Sequence, residues 1–149
     1  MYLDQFKRGW SHTAVYLLRD RTDEAGNQRF GFYKPDYAPR TAALYLHNLT
    51  TILADNDPIH EPGSLDYSIV EEPPTMHDML LRNGEGAFQL IIWDERVKGE
   101  DTVAVRLGRA RASVKIYDPT IGTSPLRSLT NSRSVELTLS HHPLVLEIN

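Results

Sequence analysis

Beyond Leu65 short apolar runs recur, each closed by glycine, proline or charge, and none keeps a helical period. "LDYSIV", "HDMLLRN", "AFQLIIWDE", "TVAVRLG", "ASVKIYD", "SVELTLS" and "PLVLEIN" all read as strands. In one of them Val135, Leu137 and Leu139 alternate with Glu136, Thr138 and Ser140, which sends the apolar set to a core and the polar set to water. "NGEG", between Arg82 and Ala87, marks a hairpin; "PTIGTSP" is an irregular crossing, and His141, His142 and Pro143 form a corner. Strands at this spacing predict an antiparallel β-sandwich.

The residues ahead of that region obey another pattern. Residues 12–20, "HTAVYLLRD", are an almost unbroken apolar run, which predicts a strand covered on both faces, as in a parallel sheet. A turn with Ala25, Gly26 and Asn27 at its tip leads to "FGFY", a short returning strand. Pro35 and Pro39 bracket a loop. From there Ala42, Leu46, Leu49 and Leu53 recur at three and four residues, the stripe of a helix of roughly four turns. Pro39 is placed for its first turn, and Asn56 with Pro58 ends it. "HEPGS" reads as a linker. The expected class is therefore mainly β, an antiparallel β-sandwich at 61–149 preceded by one strand-loop-helix unit at 1–60.

Bulk properties exclude several function classes. A chain of 149 residues with 40% hydrophobic and 24% charged residues can bury a core, and no segment holds the ~20 consecutive apolar residues of a membrane-spanning helix. The start, "MYLDQFKRGW", has no apolar signal region, so the chain is cytosolic or is exported by a signal outside it. Without cysteine there are no disulfides and no thiolate metal sites. A net charge of -4 argues against a nucleic-acid surface. The one basic cluster, Arg106, Arg109, Arg111 and Lys115, is expected to scatter, since neighbours in a strand face opposite ways.

Candidate chemistry is sparse. His141 and His142, with His77 and Asp78 as helpers, lack any HxH or HExxH spacing, so neither a metal nor another cofactor is expected. "NGEGAF" and "GTSP" do not join a strand to a helix as phosphate loops do. Carboxylates are the serious candidates. Asp20, Asp23 and Glu24 follow the first apolar run, and Asp94 and Glu95 follow "FQLIIW". A glycosidase needs two carboxyl groups across one bond, about 5 Å apart when retaining, and nothing in the spacing makes these pairs converge. Trp10, Tyr16, Tyr33 and Tyr37 are aromatic rings able to stack on a sugar or to serve as packing, while Trp93, beside Ile91 and Ile92, belongs to the sandwich.

Taken in order, "TAVYLLRD", "GFY" and "KPDYAPRTAALYLHNLTTILAD" resemble the last strand and helix of a (β/α)8 glycoside hydrolase. "FQLIIWDE", "VKIYDPTIGTSP" and "SVELTLSHHPLVLEI" resemble the β-sandwich that follows the barrel in retaining enzymes related to β-xylosidases and endoglycosidases. The resemblance implies a noncatalytic accessory region, because the acid/base and the nucleophile of such enzymes sit on upstream strands and nothing here matches them. It further implies that the end of the eighth strand, residues 16–20, borders the substrate cleft. Tyr16, Arg19, Asp20 and Tyr33 are then the substrate-binding candidates, with Arg19 and Asp20 hydrogen-bonding sugar hydroxyls. The implied partners are a polysaccharide or oligosaccharide and either the missing barrel or a second copy of the chain. Two alternatives stay open: a stand-alone carbohydrate-binding module, and a small glycosidase using Asp20 and Asp94.

Overall fold

In a computed structural model the described residues are 2–23, 26, 28–55, 57 and 61–149. The chain divides into two compact units, Met1–Asn48 and Leu49–Asn149, and the division falls inside a helix. The expected turn residues Ala25 and Asn27, the acidic Glu24, the helix-ending Asn56 and Pro58, and His60 of the linker lie outside the described residues.

The second unit is built on strands β1 (Tyr67–Val70), β2 (Met76–Arg82), β3 (Phe88–Asp94), β4 (Asp101–Tyr117), β5 (Arg127–Leu139) and β6 (Leu144–Ile148). The protein is mainly β, as the alternating sequence predicts, and all the strand pairs are antiparallel within one curled sheet. The two strands expected on either side of Gly108 are one long strand, β4. On one edge its first half pairs with β1 and its second half with β6; β5 runs along the other edge.

The bend in β4 has a local cause. From Arg106 to Arg111 the strand advances five residues while β5 advances only from Ser134 to Ser132. The excess is odd, so the inward face of β4 changes parity, from Val103, Val105 and Leu107 to Val114 and Ile116. Asn131 accommodates the same bend in β5 with φ of 50°, a conformation asparagine tolerates better than most residues. Gly108 is required by close approach: its N–H donates to Asp66 O at 3.0 Å, and an added Cβ would lie 2.0 Å from Asp66 Oδ2 and 2.9 Å from Asp66 Cβ.

The curl closes one face of the sheet over a single core. Leu90 and Ile92 of β3, Leu144, Leu146 and Ile148 of β6, and the inward residues of both halves of β4 join Val135, Leu137 and Leu139 there. The alternation of Val135, Leu137 and Leu139 is the one read from the sequence. The opposite face of β3 is buried too: Ile91 stands across from Val145, and both are 0% exposed. On that face Gln89 donates from Nε2 to Ile52 O at 3.0 Å, while Lys115 Nζ pairs with Glu147 Oε1 at 2.7 Å. The hydrogen bond and charge of Glu147 raise the Lys115 pKa above its ordinary value. Arg106 and Arg109 are exposed and Arg111 and Lys115 half-buried; because the inward parity changes at the bend, Arg106, Arg111 and Lys115 all face away from the core and are not divided between opposite faces.

The first unit contains α1 (Tyr2–Lys7), which the sequence pattern did not suggest, and most of α2 (Thr41–Ile52). Arg40 caps α2 through its carbonyl, which accepts the N–H groups of Ala43 and Leu44. The covered strand expected at 12–20 does not form. Only its end is paired: Tyr33 N–H donates to Leu18 O at 3.0 Å and Asp20 N–H to Tyr33 O at 2.8 Å, a parallel bridge of Arg19 with Tyr33. "FGFY" therefore runs beside that end in the same direction. Val15, Tyr16 and Leu18 are exposed, because among the described residues no neighbouring strand covers the run.

Replacement of Leu146 by alanine is expected to cost about 2–5 kcal/mol of stability in the β-region, measured by denaturant unfolding. Gly108→Ala is expected to cost about 1–3 kcal/mol by displacing Asp66.

Candidate functional site

Of the four residues singled out for substrate contact, Asp20 is at the centre of the first unit. It is 3% exposed although charged, and both oxygens are engaged: Oδ1 accepts the Gly31 N–H at 2.7 Å and Oδ2 accepts Arg40 Nη2. Arg40 Nη2 also reaches Arg29 O at 3.3 Å. Burial alone pushes the Asp20 pKa up, but the hydrogen bonds from Arg40 and Gly31 and the charges of Arg40 and Arg29 outweigh it, and the net shift is downward. Gly31 is needed because the two segments touch: a Cβ there would lie 2.7 Å from Asp20 N and 2.8 Å from Arg19 C.

The other three belong to the same unit. Arg19 places its guanidinium 4.7 Å from the Tyr37 ring centroid, a cation–π contact on an exposed ring. Tyr16 donates its hydroxyl to Gln28 Oε1 at 2.8 Å and tilts its ring against Phe30 at 6.2 Å. Tyr33 is half-buried and makes the bridge to Arg19. The structure thus gathers Arg19, Asp20 and Tyr33 around one pairing, with Asp20 facing in and Arg19 out, as neighbours in an extended segment must. Asp20 and Arg40 are 20 positions apart, and no local signal joins them.

A second acidic group lies in the β-region. Asp94 is 3% exposed, and its Oδ1 accepts the Arg96 N–H at 3.0 Å. Arg96 Nε stands 2.6 Å from Asp101 Oδ2 and 3.9 Å from Asp94 Oδ2. Burial opposes ionisation of Asp94, but bonds from Thr75 and the Arg96 N–H, contact with Asp101 and the Arg96 charge shift its pKa downward. One guanidinium between two carboxylates makes this a salt-bridged loop base, chemically unlike an acid and a nucleophile facing each other across an open gap. Asp20 and Asp94 belong to different compact units.

His77 lies 5.5 Å from Trp93 ring to ring, with Nε2 3.6 Å from Glu95. His142 is the histidine sequence spacing undervalued: its Nε2 lies 3.0 Å from Asp118 Oδ2 and its Nδ1 2.9 Å from Ser140 Oγ. Adjacency to His141 had suggested only a turn, and the contact with Asp118 spans 24 positions. Among the described residues no three histidine, aspartate or glutamate side chains gather to hold a metal ion. In comparisons with known proteins no family model matches the chain, and no curated protein does.

The sign for Asp20 is set by its lowered pKa: the pair contributes stability above the ordinary value of 3.8 and loses it as pH falls through the lower folded-state value. Followed through the Gly31 amide resonance, the Asp20 carboxyl is expected to titrate below 3.8. In Arg40→Ala the carboxyl keeps its burial but loses its cation, and its midpoint moves upward.

Proposed function

We propose that the chain is a noncatalytic accessory part of a carbohydrate-active enzyme, in which the β-region braces a (β/α)8 barrel and the first unit is the barrel's closing strand-loop-helix. The observation that carries this is the inverted burial of that unit. Its only buried described residues are Asp20 and Gly31, while Tyr16 and Leu18 are each 68% exposed, Phe30 61% and Trp10 56%. Ordering a residue costs roughly 1–2 kcal/mol of backbone entropy. Complete burial of one large apolar side chain returns about 1.5–3 kcal/mol, and here none is completely buried. Apolar groups held outward around a buried ion pair fit a surface that is covered by other protein. The bracing role is favoured over a glycosidase because both Asp20 and Asp94 are already engaged with arginines.

A carbohydrate-binding module is the second possibility, favoured by the exposure of Tyr16 and Tyr37, whose rings have the shape and polarity to stack on a sugar. Hydrogen exchange and calorimetry separate the two. For the bracing role, amides of the described residues between 2 and 48 are expected to exchange roughly a hundredfold or more faster than those of β3 and β6, as a unit lacking its cover opens cheaply. Titration with xylan, glucan and mannan oligosaccharides should then give no Kd tighter than about 1 mM, or about -4 kcal/mol. Micromolar sugar binding that disappears in Tyr16→Ala would establish the module instead. Release of aryl aglycone abolished by Asp20→Asn would establish the glycosidase.

A further inference from the structure

The corner between β5 and β6 holds a relay of three side chains that the accessory role does not use. Asp118 follows β4 and is 8% exposed. Its Oδ1 accepts both the Thr120 N–H at 2.8 Å and the Thr120 hydroxyl at 2.6 Å, and its Oδ2 faces His142 Nε2 at 3.0 Å. A carboxylate only accepts, so the ring proton of neutral His142 resides on Nε2. The lone pair on Nδ1 then points at Ser140 Oγ, 2.9 Å away, and the serine hydroxyl donates to it. Ser140 and His142 are partly exposed.

Nucleophile, base and orienting carboxylate thus stand in hydrogen-bonded sequence, the arrangement that activates a serine. The ring nitrogens are used in the reverse of the usual sense. Ser140 lies two residues before His142 and reaches Nδ1, the nitrogen nearer the backbone, which leaves Nε2 for Asp118. Either nitrogen serves as a base once the other is held by a carboxylate.

We propose that Ser140 is a nucleophile toward carboxylic esters, with His142 as its general base and Asp118 as the positioning residue. Ser140 Oγ bonds to the ester carbonyl carbon as its proton passes to His142 Nδ1, and Asp118 holds the resulting imidazolium at Nε2. Collapse of the tetrahedral adduct breaks the ester C–O bond, and the same proton leaves with the alcohol. Water, deprotonated in turn by His142, releases the acyl group as a carboxylic acid and restores the serine. Ser140 and His142 are partly exposed beside the exposed His141, an open position that suits a small ester, so a short acyl group such as acetyl is the substrate class. This activity is independent of the accessory role, which is noncatalytic with respect to glycosidic bonds only.

The same bonds staple the corner to the 118–120 turn, and a staple alone has no chemistry. The full chain is treated with a fluorophosphonate probe and mapped by peptide mass spectrometry, and hydrolysis of p-nitrophenyl acetate is followed in parallel. Covalent labelling is expected at Ser140, with ester hydrolysis lost in Ser140→Ala and reduced roughly 10²–10⁴-fold in His142→Ala. Asp118→Asn is expected to slow labelling of Ser140 at least about tenfold while circular dichroism stays unchanged, an effect a merely structural carboxylate would not produce. No label on Ser140 of the unsubstituted chain at saturating probe overturns the proposal, even if a variant fails to fold. Equal hydrolysis by the chain and by folded Ser140→Ala overturns it as well.

Discussion

One strand, β4, holds the β-region together. It hydrogen-bonds to β1, β5 and β6, and its change of register between Arg106 and Arg111 lets the sheet turn back on itself. Without that bend, Val103 and Val105 would continue a flat sheet; with it they share a core with Leu90 and Leu146. A flat sheet of this size leaves an apolar face in water, and the curl removes that face without a second chain. Gly108 and Asn131 are placed where the bend needs them: one lets the Asp66 segment approach, and the other takes the left-handed conformation.

The first unit is organised by the opposite rule. At its centre is a carboxylate, Asp20, made tolerable there by Arg40 and the Gly31 N–H, while Trp10, Tyr16, Leu18 and Phe30 face outward. A buried ion pair gives orientation more than net stability, since desolvation offsets much of the Coulomb attraction. The pair therefore aligns the extended segment at 17–20 with the one at 31–34 and leaves the apolar surface available for another partner. Polar centre and apolar exterior together underlie the accessory role proposed above.

Much of the β-region was legible because its signals are local. The alternation of Val135, Leu137 and Leu139 names the inward face of β5, and those residues are in the core. "NGEG" becomes the 83–87 loop, closed by Asn83 Oδ1 accepting the Ala87 N–H at 2.9 Å, with Gly86 at φ of 91°. The helical stripe from Ala42 to Leu53 corresponds to α2. The 12–20 run misled for a physical reason: unbroken hydrophobicity reports that a segment is suited to burial, and burial needs neighbours that hydrophobicity does not supply. Among the site candidates, Tyr16, Arg19, Asp20 and Tyr33 were visible as residue types at the end of an apolar run. Their contacts with Gln28, Tyr37, Arg40 and Leu18 were not.

By itself the amino-acid order determined the mainly β class, most strand positions, the hairpin and the absence of thiol chemistry, because each depends on side-chain period or identity within a few residues. Tertiary structure alone decided that two expected strands are one, that Asp20 is held by Arg40, and that Ser140, His142 and Asp118 form a relay. Those facts depend on where distant segments meet. Meeting is settled by the packing of the whole sheet and by which buried charges find partners, and neither is written in the spacing of neighbouring residues.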